Sequence, residues 1–346
     1  ELKNQKQAHP DRERSPDVQL SEFENLLSDG EGIVVIKTDL EDPNPALRDF
    51  VALRVVEDSH PRQLTKYRLW PLYNYAVAID DYHLGITHVL RGKDHLNNTL
   101  KQKWIYKYLE WDEPEYVHYG LVSIPNTNLK TSKIRESINN GEFSGWDDCR
   151  LATLKGLARR GYRPETFLKY WENSGLKEVD IKFSWQNFDA MNKDIIDSDS
   201  RRLFFVSDPV EFTMETLDML VKDAPWHPDK PELGKREEEI ITGSKIYLQK
   251  SDVDSFSSDT IVRLKNLCNV SVKGKKLSFS GMAPQKGSKI LQWCSAHTPI
   301  ELVYPDGKIV SGIVEDNISE LDGETVQFER VGFVRLEGKK AFFLHR

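Results

Sequence analysis

The pattern of apolar residues changes near Ser200, and no other feature of the sequence constrains the fold as strongly. Before it, segments with helical spacing, such as CRLATLKGLARRG and PETFLKYWENSG, alternate with short apolar runs. Beyond it, short β-rich runs follow one another, and Pro305-Asp306-Gly307 predicts a hairpin turn between two of them. Many short strands in succession indicate one or two antiparallel β-barrels. The sequence therefore predicts an α/β region followed by an all-β region.

Residues 67–124 carry the most regular alternation of strand and helix. This order is typical of part of a doubly wound α/β domain, whose ligands bind at the carboxyl ends of the parallel strands. Here those ends lie beside Arg91 and residues 121–123. The elements predicted by the pattern are a helix from Tyr73 that Gly85 ends, a buried strand over 87–90, a helix over Leu96–Leu109 and a buried strand over 117–124.

Patterns elsewhere in the chain predict further elements on the same grounds of apolar spacing, proline and charge. They are a helix over 16–28, strands over 32–37 and 49–57, mostly helices over 150–200, and a surface linker over the Pro- and charge-rich residues 222–238.

The charge of the chain limits its partners only weakly. The 346 residues include 48 lysines and arginines against 55 acidic residues, a net charge of −7, which as a whole argues mildly against nucleic-acid binding. Binding to phosphates depends on local charge, however. Arg150, Lys155, Arg159, Arg160 and Arg163 fall in one short segment without an acidic residue. RNA binding therefore stays open.

Cysteine, histidine and hydropathy patterns exclude several classes of protein. Cys149, Cys268 and Cys294 lie far apart, as expected for reduced thiols in a cytosolic protein. No apolar run approaches the ~18 residues that a membrane-spanning helix needs. The spacing of four histidines matches no common zinc motif, so no metal site is predicted, and a structural metal is the minor alternative. These histidines are His83, His88, His95 and His118.

Residues 129–150, LKTSKIRESINNGEFSGWDDCR, combine a phosphate-binding pattern with a distinctive turn. Lys130, Ser132 and Lys133 put two ammonium groups and a hydroxyl on one short loop, which suits a polyphosphate. A solvated loop that leads into a helix is the alternative. The cluster resembles the second ATP-binding signature of class I aminoacyl-tRNA synthetases. The Gly-Trp-Asp-Asp-x-Arg that follows narrows the resemblance to the glutamyl/glutaminyl branch.

This resemblance implies ATP and Mg²⁺ as cofactors and assigns the catalytic residues to Lys130, Ser132 and Lys133. Lys133 is expected to stabilise the charge that builds on the phosphates as a carboxylate attacks the α-phosphorus, and Mg²⁺ to share that charge. Thr131 and Ile134 stand where the family signature has methionine and serine.

A second resemblance concerns the contacts to the amino acid and to adenine. The pattern P-x-Y-x-x-A-x-x-x-D-D-x-x-x-G-I-T-H-x-x-R-G is similar to the amino-acid pocket of the same family, which implies Tyr73, Val77 and Arg91 as substrate contacts. Taken alone, Tyr73 fits a core residue and Arg91 a surface cap. Residues 118–122 resemble the strand end whose backbone holds adenine, which implies Leu121 as an ATP contact.

Further segments resemble the RNA-binding surfaces of the family. Residues 145–150 are similar to the turn that supports the inside corner of tRNA, with Cys149 in place of proline. The segments around Arg202 and Gln327 are similar to two barrel strands that meet the anticodon. For Arg159 and Arg160 a solvated helix face is the alternative. The implied tRNA contacts are Trp146, Asp147, Arg150, Arg159, Arg160, Arg202, Gln327 and Arg330.

The resemblance implies a chain of four parts. No His-Ile-Gly-His-like signature occurs in the sequence, so the chain is expected to correspond to the C-terminal two-thirds of such an enzyme and to be unable to form an aminoacyl-adenylate alone. The expected parts are the tail of an acceptor-arm-binding insertion (1–65), the second half of a Rossmann-like nucleotide-binding catalytic domain (66–140), a helical connector (141–200) and an anticodon-binding region of antiparallel β-barrels (201–346).

The function implied is that of an archaeal-type glutamyl-tRNA synthetase, cytoplasmic, monomeric and without membrane contact. Its expected partners are tRNA-Glu, glutamate and ATP, with tRNA-Gln as a further substrate if the enzyme is dual. Val77 and Arg-Gly-Lys-Asp-His (91–95) favour glutamate over the alternative, a glutaminyl-tRNA synthetase. A tRNA-binding module without catalysis is the alternative from another class. If the chain were a scaffold protein, every motif described above would have to be a coincidence.

Overall fold

The computed structural model describes residues 2–125, 127, 129–257, 260–316 and 318–346. They form two compact units, of which the first comprises Glu1–Ser123 and Ser174–Phe183, and the second Ile124–Asn173 and Ser184–Arg346. The helical segment 131–139 therefore groups with the later part of the chain, whereas a short segment from the middle of the chain groups with the first. The predicted division into four parts stays a prediction.

The first unit holds three small sheets and three α-helices. An antiparallel sheet has the order β1-β2-β3, and two parallel pairs are β4–β5 and β6–β7. Its buried cluster includes Phe50, Ala78, Ile105 and Tyr106. The elements are α1 (Pro16–Ser28), α2 (Tyr73–His83), α3 (Leu96–Leu109), β1 (Ile33–Ile36), β2 (Phe50–Val55), β3 (Leu69–Pro71), β4 (His88–Gly92), β5 (Glu115–Tyr119), β6 (Val122–Ser123) and β7 (Ile181–Lys182).

The early elements confirm the helix over 16–28 and the strands over 32–37 and 49–57. Pro16 occupies the first helical position, where its missing N–H costs nothing. Gly85 follows α2 with φ +67°, the left-handed conformation that ends a helix without strain in glycine.

The predicted burial of the two parallel strands is wrong. Leu90 on β4 is 51% exposed, and β5 is half-buried at best. The predicted strand over 117–124 is also divided at Gly120 into β5 and β6. Apolar runs predict burial because the parallel sheets of α/β proteins are covered on both faces. Within the described residues, β4 pairs only with β5, so this two-stranded sheet has no neighbouring strand on either outer edge.

The second unit holds five α-helices and sixteen strands among its described residues. One seven-stranded sheet has the order β8-β21-β22-β23-β19-β20-β9, another has the order β17-β14-β15-β16-β10-β13-β18, and β11 pairs with β12. The elements are α4 (Thr131–Asn139), α5 (Leu154–Arg160), α6 (Pro164–Ser174), α7 (Trp185–Ile196), α8 (Lys250–Val253), β8 (Arg202–Leu203), β9 (Phe205–Ser207), β10 (Pro209–Glu215), β11 (Leu220–Pro225), β12 (Lys235–Ile240), β13 (Lys245–Gln249), β14 (Ile261–Leu264), β15 (Asn269–Lys273), β16 (Lys276–Gly281), β17 (Lys289–Leu291), β18 (Trp293–Cys294), β19 (His297–Val303), β20 (Ile309–Glu315), β21 (Thr325–Phe328), β22 (Gly332–Glu337) and β23 (Lys340–His345).

The change of pattern near Ser200 is confirmed as a change from mixed helices and strands to mostly strands. The Pro305-Asp306-Gly307 turn joins the antiparallel strands β19 and β20, and the Gly307 amide (φ +87°) donates to the Tyr304 carbonyl at 3.0 Å. Phe204 and Trp293 lie in the core of one seven-stranded sheet, and Phe328 in that of the other. The overall class is thus mixed α and β with many sheets.

The surface linker predicted over 222–238 is wrong, because this segment forms most of the β11–β12 hairpin. Lys222 is only 2% exposed and forms an ion pair with the buried Glu315. Its ammonium also lies 4.9 Å from the Phe204 ring and 4.6 Å from the Trp293 ring. Arg236 reaches the same carboxylate at 3.0 Å. Lys222 is therefore buried because its charge has partners, while the other charged side chains of the two strands are exposed or half-buried.

Candidate functional site

Lys130, Ser132 and Lys133 lie at the amino-terminal end of α4 rather than on a loop. Lys130 is the N-cap, and Thr131–Lys133 form the first turn with exposed side chains. Ile134 is 5% exposed, so it anchors the helix at the position where the resemblance expects a serine. The first amides of a helix have no intrahelical acceptor, and together with the helix dipole they attract anions. Two lysines at this end strengthen that attraction.

A cavity of about 600 Å³ adjoins Lys133 within the second unit. Cations and acids face it together, which suits a polar ligand rather than an apolar one. Its charged and aromatic lining residues are Lys133, Glu142, Phe143, Arg150, Arg160, Tyr162, Trp185 and Asp189.

The turn over 145–150 is built around the buried carboxylate of Asp148. This carboxylate, 6% exposed, accepts from the Ser144 amide at 3.0 Å, the Arg150 amide at 3.0 Å and the Arg150 guanidinium at 2.9 and 2.7 Å. Burial by itself would raise the pKa of Asp148, but these hydrogen bonds and the Arg150 charge more than offset it and hold the pKa far below its usual range. The guanidinium of Arg150 also lies 4.8 Å from the Phe143 ring. Arg150 is therefore held in one orientation at the surface.

Replacing Asp148 by asparagine is expected to lower the free energy of unfolding by about 2 kcal/mol, because it removes charge-assisted hydrogen bonds from a buried acceptor. Chemical denaturation of the variant measures the loss. Asp147→Asn is the matched control, since Asp147 is exposed and its pair with Arg159 (3.3 Å) is worth under about 1 kcal/mol. Equal losses in the two variants would contradict the assignment.

The same carboxylate gives a pH dependence of known sign. A depressed native pKa stabilises the fold fully above the unfolded pKa of about 3.9, and the contribution declines as the pH falls below that value. The acid limb of the stability curve should therefore be shallower in Asp148→Asn than in the unsubstituted chain.

Arg159 and Arg160 are both occupied by contacts inside the second unit. Arg159 donates to both oxygens of Glu337, at 2.6 and 3.1 Å, and stacks 4.6 Å from the Phe342 ring. Arg160, 9% exposed, donates to the carbonyls of β23 at 3.1 and 2.8 Å. These contacts connect α5 to β22 and β23. They favour a structural role for Arg160, whereas the Arg159 side chain remains partly exposed to solvent.

In the first unit, Tyr73 and Val77 occupy one face of α2, while Arg91 is turned inward. Tyr73 is 50% exposed, its ring 6.0 Å from that of His95, and Val77 is half-buried. Arg91 is 8% exposed, and its guanidinium donates to the Thr99 hydroxyl and, at 2.9 Å, to the amide oxygen of Gln102. Its Nε has no hydrogen-bond partner although it is buried.

The side chains around Arg91 were missed by sequence reasoning. The Thr99 hydroxyl lies 2.9 Å from His118 Nε2, and Gln102 donates to Asn74 at 3.4 Å. Burial first, and then the charge of Arg91, lower the pKa of His118. Apolar spacing on α3 gave no reason to single out two buried polar residues, so only their contact with Arg91 reveals them.

The backbone of Leu121 already has partners. Its amide donates to Asp180 Oδ1 at 2.8 Å, and its carbonyl accepts from the Ile181 amide at 2.9 Å. An adenine ring would therefore have to compete with the Asp180 carboxylate for the Leu121 amide. The sequence offered no indication that residues 174–183 return to this strand end.

Of the residues assigned to the anticodon, the structure brings two together and directs the third elsewhere. Arg202 on β8 and Gln327 on β21 are register partners in a parallel pair. The Arg202 side chain lies 3.3 Å from His227, and its buried Nε has no partner. Arg330 instead forms a two-point ion pair, 2.8 and 3.2 Å, with the buried carboxylate of Asp252.

A second cavity in the same unit, about 660 Å³, is lined by cations, amides and aromatic rings. Stacking surfaces beside cations and amides suit unpaired nucleotides. Its polar and aromatic lining residues include Phe205, Asp208, Gln249, Gln292, Tyr304, Lys308, Arg330, Phe343 and Arg346.

Other classes of site find little support in the described part of the chain. No group of three or more histidines, cysteines and acids there has the geometry of a metal site. Cys149, Cys268 and Cys294 are buried and unpaired, and burial raises the pKa of each thiol. None of the described helices has the length and apolar character needed to cross a bilayer.

Comparison with known proteins identifies the family. A family model described as "tRNA synthetases class I (E and Q), catalytic domain" matches residues 1–198, and one described as "tRNA synthetases class I (E and Q), anti-codon binding domain" matches residues 200–285. The chain belongs to the class I glutamyl/glutaminyl-tRNA synthetase family. The family resemblance drawn from the motifs over 73–92 and 129–150 is thereby confirmed.

Several curated relatives of the chain are archaeal glutamate–tRNA ligases. The glutamate–tRNA ligase of Thermoplasma volcanium is 42% identical over 343 residues, 97% of this chain and 62% of that protein. The glutamate–tRNA ligases of Pyrococcus abyssi and Methanopyrus kandleri are 41% and 40% identical over 97% and 99% of this chain, and 63% and 64% of those proteins. The chain thus spans somewhat more than three fifths of the length of these relatives.

Proposed function

We propose that this chain acts within a glutamate–tRNA ligase, which activates glutamate with ATP and transfers it to the 3′ end of tRNA-Glu. One observation carries the proposal. In a chain 42% identical to such a ligase, one compact unit combines the lysine-bearing end of α4 with the Asp148–Arg150 turn. The first feature suits the phosphates of ATP, and the second presents a fixed guanidinium to an RNA backbone.

In the proposed reaction, the end of α4 binds the phosphates of ATP. Lys133 and Lys130 supply positive charges, and Ser132 a hydroxyl. As the glutamate carboxylate attacks the α-phosphorus, charge on the departing pyrophosphate is stabilised by the Lys133 ammonium and the first amides of α4. Mg²⁺ suits this chemistry because it usually binds through substrate phosphates and water rather than through an all-protein cage. The amides and ammonium groups at the start of α4 suit the phosphates that would carry Mg²⁺.

The amino-acid contacts of the proposal are Tyr73, Val77 and Arg91. A half-exposed hydroxyl from Tyr73 and a guanidinium with one unpaired donor are the groups that a glutamate side chain would need. Val77 cannot donate or accept through its side chain. Selection against glutamine would therefore depend on the positive charge of Arg91 rather than on an amide-reading group.

For adenine, the structure favours the backbone of Val122 in place of Leu121. The strand β6 bonds to β7 through Leu121 and Ser123, whose carbonyls accept from Ile181 and Phe183 at 2.9 and 2.8 Å. Backbone groups of successive strand residues point to opposite edges. The Val122 amide and carbonyl therefore face the edge away from β7, where a ring with an adjacent donor and acceptor can pair with them.

The proposed function also implies a Rossmann-like nucleotide-binding domain and anticodon-binding β-barrels. The β4–α3–β5 unit with its parallel strands supports part of a Rossmann-like nucleotide-binding domain, and the two seven-stranded sheets support two anticodon-binding β-barrels. The tRNA would contact the surface around the Asp148–Arg150 turn through Trp146, Asp147, Arg150 and Arg159, with Arg160 holding α5 in place beneath it. It would contact the barrels through Arg202, Gln327, Arg330 and the 660 Å³ cavity. A cytoplasmic monomer is the expected state.

Charging assays with purified tRNAs test the proposal in the protein as the cell makes it. We expect glutamate-dependent ATP–pyrophosphate exchange and glutamylation of tRNA-Glu, with glutamine a poor substrate. Glutamylation of tRNA-Gln at a comparable rate would establish a dual enzyme. Exchange that depends on glutamine and not on glutamate would contradict the proposal in favour of a glutaminyl enzyme.

A further inference from the structure

The segment Ser174–Phe183, here named the strap, leaves its neighbours in the chain to join the first unit. It lies between α6 and α7 in sequence, and both helices carry the second unit's residues. Nothing in its sequence, SGLKEVDIKF, indicates a ligand or a catalytic group. Its position indicates a role in ligand binding, because the strap binds at the carboxyl end of β5, on the side where parallel strands present their ligands.

The strap is fixed to this strand end by a continuous set of hydrogen bonds. The Gly120 amide donates to the Lys177 carbonyl at 2.7 Å, and β7 pairs with β6 in parallel. A side chain at Gly120 would place its Cβ 2.1 Å from the Val179 carbonyl oxygen. Only glycine therefore allows the strap to approach so closely.

Asp180 is the one side chain of the strap that holds two separate strand ends together in the hydrogen bonds and ion pairs described. Its Oδ1 accepts from the Leu121 amide after β5 at 2.8 Å and lies 2.7 Å from the Lys93 ammonium after β4. Hydrogen bonds from Lys93 first, and then from the Leu121 amide, lower the pKa of Asp180. A single carboxylate thus sets both the direction of the Leu121 backbone and the place of a cation beside it.

We propose that Asp180 is a positioning residue for the nucleotide: it binds the Leu121 amide and the Lys93 ammonium, so that the Val122 backbone faces the open edge where adenine pairs. The inference rests on the proposed function and adds a residue and a segment to it. Asp180 itself touches no substrate. Its effect passes through the fixed backbone of 121–123 and through the position of Lys93.

The competing interpretation is that the strap occupies the adenine site and must leave before ATP binds. It fails on direction, because the strap pairs along the edge of Leu121 and Ser123, and among the described residues no strand pairs with the opposite edge at Val122. The two interpretations also predict opposite effects of weakening the strap. Positioning predicts weaker ATP binding, and competition predicts tighter binding.

Three variants test the proposal through equilibrium binding of Mg·ATP and, separately, of glutamate. Asp180→Ala removes both contacts and should raise the dissociation constant of ATP about tenfold. Asp180→Asn keeps an acceptor for Leu121 and should recover much of that loss, and Lys93→Met should resemble Asp180→Asn. Glutamate binding should stay within about twofold in all three. Lys182→Ala, an exposed strap residue, is the matched control.

Hydrogen exchange of the same variants separates positioning from simple loss of structure. The Leu121 amide should exchange faster in Asp180→Ala and remain protected in Asp180→Asn, while the rest of the unit keeps its protection. Tighter ATP binding, or unchanged binding with a deprotected Leu121 amide, would overturn the proposal and leave the ligase function intact. Failure of the unsubstituted protein to bind ATP would instead contradict the proposed function, and this inference with it.

Discussion

Glu315→Ala is expected to lower the free energy of unfolding of the second unit by about 3–5 kcal/mol, because it leaves the buried Lys222 ammonium with only the more distant Glu238 carboxylate, at 3.7 Å, as counter-charge. Glu315 is 4% exposed and Lys222 is 2% exposed. The same carboxylate binds Arg236 at 3.0 Å and accepts from the Phe204 amide at 2.7 Å. Burial would raise the pKa of Glu315, but Arg236 and Lys222 lower it, so the group is charged in the fold.

Urea denaturation of three variants measures this effect. Glu315→Gln keeps the shape and the Phe204 contact and should lose less than Glu315→Ala. Glu301→Ala, an exposed glutamate on the neighbouring strand β19, should change stability by no more than about 0.5 kcal/mol. A loss below about 1 kcal/mol for Glu315→Ala would mean that Lys222 reaches water and that the β11–β12 hairpin is not held by this pair.

In the protein as the cell makes it, Lys133→Met is expected to reduce glutamate-dependent ATP–pyrophosphate exchange by about 10²–10³-fold, the usual effect of removing one group that stabilises charge in a transition state. Lys133 is exposed in the first turn of α4, beside amides that attract the same anion. The loss should fall on kcat rather than on the KM for glutamate, because the charge that Lys133 opposes develops during the reaction.

Two companion variants make this prediction specific. Lys133→Arg keeps the charge and should retain more exchange than Lys133→Met. Lys169→Met removes an exposed lysine from α6 and should leave exchange unchanged. A rise in the KM for ATP with unchanged kcat would show that Lys133 only binds ATP, and unchanged exchange would remove it from the site.

Local chemistry decided which parts of the fold could be predicted. The β19–β20 hairpin follows from Pro305-Asp306-Gly307, since those residues form the turn with almost no help from elsewhere. The burial of Lys222 could not be predicted, because its partner Glu315 lies 93 positions away. A charged side chain is mostly exposed unless a partner appears, and the sequence does not show the partner.

The residues of the candidate site also fall into those that local motifs reveal and those that only long-range contacts reveal. Lys133, Arg150 and Arg91 were chosen from motifs whose residues are neighbours in the chain, and the structure gives each a defined setting. Asp180 contacts Leu121 across 59 positions and belongs to no motif, so pattern reasoning had no access to it. The lysine cluster was expected on a loop and begins a helix, because the buried Ile134 fixes α4 from the second turn.

Binding of purified tRNA-Glu to this chain, measured at several salt concentrations beside an unrelated tRNA and a tRNA-Glu with an altered anticodon, tests the central claim most directly. We expect tRNA-Glu to bind at least about tenfold more tightly than the other two at moderate salt, and log K to fall linearly with log salt as phosphate contacts are lost. Equal affinity for all three RNAs, or no binding of any, would contradict the assignment of these surfaces to tRNA-Glu.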